Sequence, residues 1–483
     1  MKALFYIAGD ISNYSVITYR YNNDSQSTFF AAHALYKIFN TDKVVGLLPD
    51  SLISFDQNKF TPDQLKEAYK QLIRDRANEL KYNSHEIEDF LQKLEIYVIP
   101  NTGIGSALEL EIKEDNKAVI KRDENNRLKR TSYSENRNPV FIFNVIYSIF
   151  KKYHDKGYEI ILDLTHGTNV LVGISLALAS MFNSKVYAAP VMGPPGTQKE
   201  VNIVELTDVI EAMRNSIMIE ESIMNVDERY FVDYSSRLKQ INPNDMPEFS
   251  SILKNIKSHD PGMIKNFLAQ LRNGLPVNAV KMLKNLEKNM DEFEDRVNAL
   301  RDLYEEWYSH SKLSSFNSIL LSNFYSALRV KDLMNSIKGN NDLESLNKII
   351  DLYAKVKYYD KFLSLAREYP IAYCMKIKGG GAYETTNEEN IEKEQRANKE
   401  RSTFEECKDK VDEMIAKKIS DLIKYRNFIM HSGLSVDTKT QIKNNGEIDQ
   451  LAKDVDLTKI ENSIKSIREE VDAIIKSIEN DKK

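Results

Sequence analysis

A helical segment near the C-terminus carries an arginine and a histidine at a spacing that could support acid–base chemistry. Its apolar residues recur at helical spacing and form one stripe: Val411, Ile415, Ile419, Leu422 and Ile429. At ~100° per residue Arg426 falls inside this stripe, and His431 lies about 140° further round, with Asn427 adding an amide. A histidine can move the proton of a ribose 2′-hydroxyl, and an arginine can stabilise a phosphorane. The pair therefore suits metal-free RNA cleavage.

The same residues also have a purely structural explanation. His431 stands just before Gly433, which is typical of a helix C-cap, and Arg426 could be a salt-bridged arginine on a packed face. The segment by itself leaves both interpretations open.

Polar residues follow three apolar strand segments in the N-terminal half. In an open parallel sheet, ligands bind beyond the carboxyl ends of the strands, near the point where the strand order reverses. We therefore predict a ligand site there. Its candidate residues are Asp10, Ser12, Asn13 and Tyr14 after the first strand, Asn101, Thr102 and Gly103 after the third, and Thr165, His166, Gly167, Thr168 and Asn169 after the fourth.

The third of these polar segments indicates phosphate binding most directly. Thr168 or Asn169 can cap the apolar helix that follows, and a helix N-terminus attracts phosphate through its free N–H groups. His166 could stack on a base, donate to a phosphate, or act as an acid or base. A tight turn with a capping residue is the plain alternative.

A second glycine-rich segment, Gly193–Glu200, has only a superficial likeness to an ATP-binding P-loop. Gln198 stands where that loop needs glycine, and Glu200 where it needs a magnesium-binding hydroxyl. A strand pattern, Val201–Leu206, follows where a helix is required. We exclude ATP hydrolysis at this segment.

The elements that must position these residues differ between the two halves. Up to about Ile210, short apolar runs alternate with helical stretches, which predicts a doubly wound, mostly parallel α/β domain. The predicted strands are Ala3–Ala8, Lys43–Leu48, Glu95–Ile99, Glu159–Leu164, Lys185–Ala189 and Val201–Leu206. The predicted helices are Gln26–Phe39, Pro62–Leu80, Pro139–His154 and Asn169–Phe182.

After Ile210 the pattern is all-helical. Long helical stretches are predicted at Val277–Ser309, Asp342–Arg367, Val411–His431 and Asp456–Ile478. The predicted breaks are Pro243, Asp260–Gly262, Asn273–Pro276, Gly339–Asn341 and Pro370, and the charged run from Gly379 to Arg401 is predicted to be a flexible insertion. We expect a ligand-sensing domain at 1–210, a helical linker at 211–340 and a second functional domain at 341–483.

Composition limits the classes of function. The chain has 483 residues, of which 42% are hydrophobic and 29% charged, and no apolar run approaches the ~18 residues of a membrane span. A net charge of −5 argues against stable DNA binding but permits one local basic groove for RNA. Cys374 and Cys407 allow no disulfide framework, and no cluster has metal-ligand spacing. Met1–Asp10 lacks the pattern of a signal peptide, so we expect a cytoplasmic protein.

A family resemblance joins the two halves. Arg426–His431 matches the Arg-x4–6-His motif of HEPN ribonucleases, including the polar residue after arginine. Gly9–Tyr14 and Asp163–Asn169 look like the ligand loops of CARF domains, which are Rossmann-like. Their order in one chain resembles the CARF–HEPN ancillary ribonucleases of type III CRISPR antiviral systems. Met213–Gly339 is similar only in length and helicity.

The resemblance implies a homodimer or higher oligomer activated by cyclic oligoadenylate, with cyclic tetra-adenylate as the expected ring size. The activator would lie across paired CARF domains and bring two HEPN sites together. Such enzymes cut single-stranded RNA without a metal or other cofactor, by attack of the 2′-hydroxyl, and leave a 2′,3′-cyclic phosphate. The resemblance assigns Arg426, Asn427 and His431 to the catalytic site, and the three polar strand ends to the activator.

Two other functions remain open from the sequence. The first is a CARF-type, ligand-responsive transcription regulator without nuclease activity, with a helix-turn-helix between Gly262 and Gly339. Its weakness is the acidic net charge and the lack of a clearly basic recognition helix. The second is a phosphodiesterase that works at His166, with a purely structural C-terminal half.

Overall fold

The computed structural model divides the chain into two compact units, Met1–Arg214 and Asn215–Lys483. None of its described helices is long and apolar enough to cross a bilayer. The residues that the structure describes are 1–56, 58–113, 117–191, 196–231, 250–252, 254, 262–309, 321–379, 391–430, 440–442, 448–450 and 457–481.

The first unit is built on a six-stranded sheet whose order is β13-β11-β10-β1-β4-β5. All neighbours pair in parallel except β13, which is antiparallel to β11. The chain runs outward from β1 through β4 to β5 and then returns to β10 on the other side of β1. The order therefore reverses between β1 and β10. These strands are β1 (Lys2–Ile7), β4 (Lys43–Pro49), β5 (Leu94–Ile99), β10 (Glu159–Asp163), β11 (Lys185–Ala188) and β13 (Val204–Glu205).

Burial on both faces explains why β1 is an unbroken apolar run. Leu4 and Tyr6 point into the core on one face of the sheet, and Ala3 and Phe5 point into the core on the other. Such strands need helices on both sides, as the β-α alternation predicted. The helices are α1 (Ala31–Phe39), α2 (Pro62–Glu79) and α3 (Ser84–Lys93) on the first face, and α4 (Pro139–His154) and α5 (Asn169–Met181) on the second.

Smaller strands were missed or misassigned from the sequence. Gln26–Thr28, predicted as the start of a helix, belongs to a hairpin that turns at Asn22, where φ is +51°. The single strand predicted at Val201–Leu206 is two strands, because Ile203 N–H donates to the Arg20 carbonyl and draws the first part into a separate sheet. The additional strands are β2 (Ile17–Tyr21), β3 (Asp24–Thr28), β6 (Gly103–Leu108), β7 (Leu110–Ile112), β8 (Ala118–Ile120), β9 (Arg130–Glu135) and β12 (Glu200–Asn202).

The second unit is helical around one apolar core. Its helices begin with α6 (Thr207–Met224), which crosses the boundary between the units. They continue with α7 (Gly262–Arg272), α8 (Pro276–Glu305), α9 (Leu321–Leu328), α10 (Val330–Ile337), α11 (Asp342–Lys355), α12 (Tyr359–Ile377), α13 (Ile391–Lys418), α14 (Ser420–Met430) and α15 (Leu457–Asn480).

Several predicted boundaries in this unit were wrong. The stretch Asp342–Arg367 is two helices, because the chain turns at Lys357 with φ +59°. Pro370 lies buried inside α12 instead of ending a helix, since tertiary packing outweighs its cost there. The helix predicted at Val411–His431 is divided at Ile419, and α13 already begins at Ile391, within the run predicted to be flexible.

Two short strands also contradict the all-helical prediction. β14 (Thr440–Ile442) and β15 (Ile448–Gln450) form an antiparallel pair in which Ile442 faces Ile448. The predicted breaks at Pro243 and Asp260–Pro261 lie outside the described residues.

The two cysteines form a single disulfide, a bond that the sequence analysis did not predict when it found no disulfide framework. Cys374 of α12 and Cys407 of α13 are buried, with 5.8 Å between their Cα atoms. They are 33 residues apart in sequence. Cysteine count and spacing gave no sign of the bond, because only the packing of α12 against α13 brings the two side chains together.

We predict that this bond stabilises the helical unit. Closing a loop of this length in the unfolded chain is worth about 3–4 kcal/mol, so reductant should lower the melting temperature of the wild-type protein. The measurement is thermal melting with and without reductant. The Cys374→Ala variant serves as control, since it should melt at one temperature in both buffers. Equal melting of the wild type with and without reductant would show that the bond contributes nothing.

Candidate functional site

The loops after β1 and β10 meet where the strand order reverses. The hydroxyl of Tyr14, from the first loop, lies 3.1 Å from Nδ1 of His166 in the second, and their rings stack with centroids 5.1 Å apart. Two residues 152 positions apart in sequence thus form one pair at the carboxyl edge of the sheet. This is the position at which open parallel sheets bind ligands.

Two glycines permit this close approach. A Cβ on Gly9 would lie 3.1 Å from both Cγ of His166 and the Tyr14 hydroxyl. Gly167 has φ +130°, and a Cβ there would lie 2.7 Å from Cδ1 of Ile7. A side chain at Gly9 would require His166 and Tyr14 to shift, and one at Gly167 would strain the backbone and displace Ile7.

His166 is neutral around pH 7 and has one ring nitrogen without a described partner. Burial lowers the pKa of His166 to about 4. Burial raises the pKa of Tyr14, so its hydroxyl keeps its proton and can donate to Nδ1. In that tautomer Nε2 carries the ring proton, and Nε2 is inaccessible to water with no hydrogen-bond partner in the structure. The imidazole therefore keeps an unused donor.

Asp163, the last residue of β10, is a buried carboxylate beside this pair. Its Oδ1 accepts from the Thr165 amide at 2.8 Å and from the Thr165 hydroxyl at 2.5 Å, whereas Oδ2 has no partner in the structure. Burial raises the pKa of Asp163 to about 6. The Thr165 hydroxyl also accepts from the amide of Ala189 at 2.9 Å, so it ties the loop after β10 to the end of β11.

Asn101 connects the loop after β5 to the loop after β10. It is 1% exposed. Its Oδ1 accepts from the Thr102 amide at 2.9 Å and from the Thr168 hydroxyl at 3.2 Å, and its Nδ2 donates to Ser51 at 2.7 Å. Thr168 occupies the N-cap of α5, as predicted, but its hydroxyl bonds Asn101 instead of capping the helix. Asn101 thus connects the two loops through both ends of its side-chain amide.

Besides Ser51, three residues that hold Asn101 were missed from the sequence. Asp50 Oδ1 accepts from the Asn101 amide at 3.0 Å, and the Asn101 carbonyl accepts from Tyr133 at 2.9 Å and from Arg137 at 2.8 Å. Arg137 also pairs with Asp50 at 2.6 Å. Tyr133 lies on β9, far along the chain from β5, and no pattern in the sequence marks it or Arg137 as part of the site.

An ion pair and a hydrogen bond of Asp10 hold the loop after β1 in place. Asp10 caps a one-turn 3-10 helix, Ile11–Asn13, by accepting from the Ser12 amide at 3.0 Å, and it forms an ion pair with Arg130 of β9. Burial alone would raise the pKa of Asp10, but the hydrogen bonds from Ser12 and Arg130 hold it below its usual value.

The structure therefore brings all three predicted strand ends together. The Tyr14–His166 contact joins the ends of β1 and β10, and the Asn101–Thr168 bond joins those of β5 and β10. The remaining candidates, Asn13, Gly103 and Asn169, are exposed at this edge.

The second group of candidates lies on or after α14, in the helical unit. Arg426 is half-buried, and its Nε is inaccessible to water with no hydrogen-bond partner in the structure. Asn427 is also half-buried. His431 follows the last residue of α14 and lies outside the described residues, as does Gly433. Within the described ranges, no group of three His, Cys, Asp or Glu side chains could hold a metal ion.

Comparison with known proteins identifies the first unit. Residues 3–204, nearly the whole of this unit, match the family model of the CARF domain of the CRISPR system endoribonuclease Csx1. No curated protein matches the chain. Among solved structures, Enterococcus italicus Csm6 bound to cyclic hexa-2′-fluoro-hexa-dAMP is 13% identical and covers 98% of this chain and 94% of its own, with a TM-score of 0.27. A TM-score this low does not establish a shared fold or a shared chemistry.

The raised pKa of Asp163 predicts a specific pH dependence of stability. The folded protein keeps this proton up to about pH 6, whereas an ordinary carboxyl releases it near 3.8. The contribution of Asp163 to stability is thus present at low pH and is lost as pH rises through 6. Relative to wild type, Asp163→Asn should gain about 2.4 kcal/mol of unfolding free energy between pH 4 and pH 8.

Urea unfolding at both pH values measures this gain, and Asp24→Asn, at an exposed position of β3, is the matched control that should show none. A constant difference between Asp163→Asn and wild type across this range would mean that Asp163 does not titrate as the burial requires.

Proposed function

We propose that the protein is a CRISPR-associated endoribonuclease whose CARF domain binds cyclic oligoadenylate and thereby activates a HEPN site in the helical unit. The observation that carries the proposal is the convergence of three polar strand ends in a domain that matches the CARF family of an endoribonuclease. The competing transcription regulator and His166 phosphodiesterase have no comparable support among the described residues.

The chemistry of the strand ends suits an oligoadenylate. The unused Nε2 donor of His166 can serve a phosphate or a base edge, and the Tyr14–His166 stack offers an aromatic surface for a base. Asn13, Gly103 and Asn169 are exposed at the same edge and can reach the ligand directly. Buried Asn101 acts on the ligand indirectly, by fixing Thr102 and Thr168.

An apolar surface beside the site favours a homodimer. α5 contains no charged residue, although Gly173, Ala177 and Met181 are exposed. At the start of α4, Val140 is 62% and Phe141 54% exposed. Both helices begin at the edge of the sheet where the strand ends lie, since α5 follows Thr168. A second copy packed on this surface would place two ligand sites side by side, and would let one cyclic ligand contact both.

In the helical unit, Nε of Arg426 has no hydrogen-bond partner among the described residues. An Arg Nε withdrawn from water without a hydrogen bond costs free energy. The missing partner can be an RNA phosphate or a group from the second protomer. In this proposal His431 moves the proton of the 2′-hydroxyl, Arg426 stabilises the phosphorane, and Asn427 orients the RNA, with no metal ion.

The decisive experiment is cleavage of single-stranded RNA in EDTA, with cyclic tetra-adenylate, cyclic hexa-adenylate, linear oligoadenylate or no activator. We expect cleavage with one of the cyclic ligands and products that end in 2′,3′-cyclic phosphate. Products with 3′-hydroxyl ends, or loss of cleavage in EDTA, would contradict the mechanism. Tight binding of a cyclic ligand without any RNA cleavage would favour the transcription regulator.

The catalytic pair makes a sharper prediction. His431→Ala should lower the cleavage rate by roughly 10²–10⁴-fold, and Arg426→Ala should cost about 3 kcal/mol of transition-state stabilisation or more. Ligand affinity, dimer mass and melting temperature should stay near wild type in both variants. Near wild-type cleavage by His431→Ala would refute the assignment, and a lower melting temperature of Arg426→Ala with cleavage preserved would make Arg426 structural.

The sensor residues make a separate prediction. His166→Ala and Asn13→Ala should each weaken binding of the activator, because the first removes a donor and a stacking surface and the second removes an exposed amide. Calorimetric titration with the cyclic ligand measures both, and Asn23→Ala, at the exposed turn between β2 and β3, is the control. Two variants that bind like wild type would place the ligand elsewhere.

A further inference from the structure

Arg130 links the inserted ribbon β6–β9 to the loop after β1. The ribbon is formed by Gly103–Leu108 and Arg130–Glu135, which pair in antiparallel register with Leu108 facing Arg130. The guanidinium of Arg130 forms an ion pair with Asp10. Among the described residues, Asp10 is its one side-chain partner.

Two other arginines, Arg137 and Arg76, have more hydrogen-bond and ion-pair partners than Arg130. Arg137 binds Asp50, the Asn101 carbonyl and Tyr133. Arg76 donates to the Tyr14 carbonyl at 2.9 and 2.5 Å and pairs with Glu79. The side chain of Arg130 is 37% exposed, against 27% for Arg137 and 17% for Arg76. Of these three cations, Arg130 can change partner at the lowest cost.

A cavity opens beside the Asp10–Arg130 pair. Its volume is about 440 Å³, which is within the usual range for small-molecule sites. It is lined by Ser12 and Asn13 of the loop after β1 and by four arginines: Arg76, Arg122, Arg127 and Arg130. Asp75 and Glu79 also line it, and they pair with Arg122 and Arg76. An anion in this cavity meets the guanidinium of Arg130, whose ion-pair partner is Asp10.

A bound oligoadenylate puts phosphodiester charge near carboxylates. Asp10, Asp50 and Asp163 all lie at the strand ends, and Asp50 is already neutralised by Arg137. A phosphate next to Asp10 is repelled, whereas the same phosphate on Arg130 gains a planar pair of donors. Asp10 and the ligand therefore compete for one guanidinium.

We infer that Asp10 is an internal counter-ion that holds Arg130 in the free protein, and that an anionic phosphodiester of the ligand replaces it. This inference rests on the proposed binding of cyclic oligoadenylate and specifies one contact within it. Asp10 then lowers the affinity for the ligand instead of contributing to it. The exchange also releases the ribbon from the loop after β1 when the ligand binds.

The test is Asp10→Asn, which removes the charge but keeps the oxygen that accepts from Ser12. Affinity for the cyclic ligand that binds wild type, cyclic tetra- or hexa-adenylate, should rise about tenfold at low salt and less at high salt. Arg130→Gln should weaken binding by a similar factor, and Asp10→Asn should gain less in that background. Asp10→Ser, which also caps a helix, is the second variant in case the first fails to fold.

Glu200→Gln is the matched control, because its ion pair with Arg20 lies on the separate small sheet at 2.7 Å; its affinity should equal that of wild type. Weaker binding by Asp10→Asn would show that Asp10 contacts the ligand as an acceptor, and unchanged binding in both Asp10→Asn and Arg130→Gln would place the phosphate elsewhere. Either result overturns the inference and leaves the proposed function standing. A wild-type protein that binds neither ring overturns both.

Discussion

The position of β1, buried on both faces and paired in parallel on both edges, is the constraint on which the first unit depends. Its pairing register with β10 on one side and with β4 on the other determines where along the sheet the loops after these strands begin. Because the chain continues from β1 in one direction and returns on the other side, no connection fills the crevice between the ends of β1 and β10. Tyr14 and His166 meet there as a consequence of topology.

The crevice contains polar groups at a cost in stability. His166 Nε2 and Asp163 Oδ2 are withdrawn from water without partners among the described residues, and the pKa of each side chain is shifted in the direction that keeps it neutral. A core selected for stability alone would have paired or replaced such groups. Their presence beside a crevice is what a ligand site requires, because a ligand can supply the missing partners.

The inserted ribbon gives the site a second layer of support. Arg137 and Tyr133 fix Asn101 from one end of the ribbon, and Arg130 contacts the loop after β1 from the other. The ribbon thus touches two of the three strand ends. A ligand that alters the Arg130 contact acts on a segment already bonded to the others. Differential contacts of this kind are what allow a binding site to influence a distant one.

The sequence determined the elements whose pattern is local. Continuous apolar runs marked β1, β4, β5 and β10 to within a residue or two, and the helix at Pro139–His154 was predicted to the residue. The polar residues after three of these strands were also evident from the sequence. These features follow from burial and capping, which act over a few neighbouring residues.

Only the tertiary structure decided the long-range features. The roles of Arg130, Tyr133 and Arg137, the helical place of Pro370 and the Cys374–Cys407 bond all depend on which segments pack together. Polar side chains on an inserted ribbon have no periodic signature, and a disulfide depends on two cysteines that only packing brings together. Local sequence determines where a strand lies in the chain and whether polar residues follow it. Packing determines which distant residues contact those polar residues.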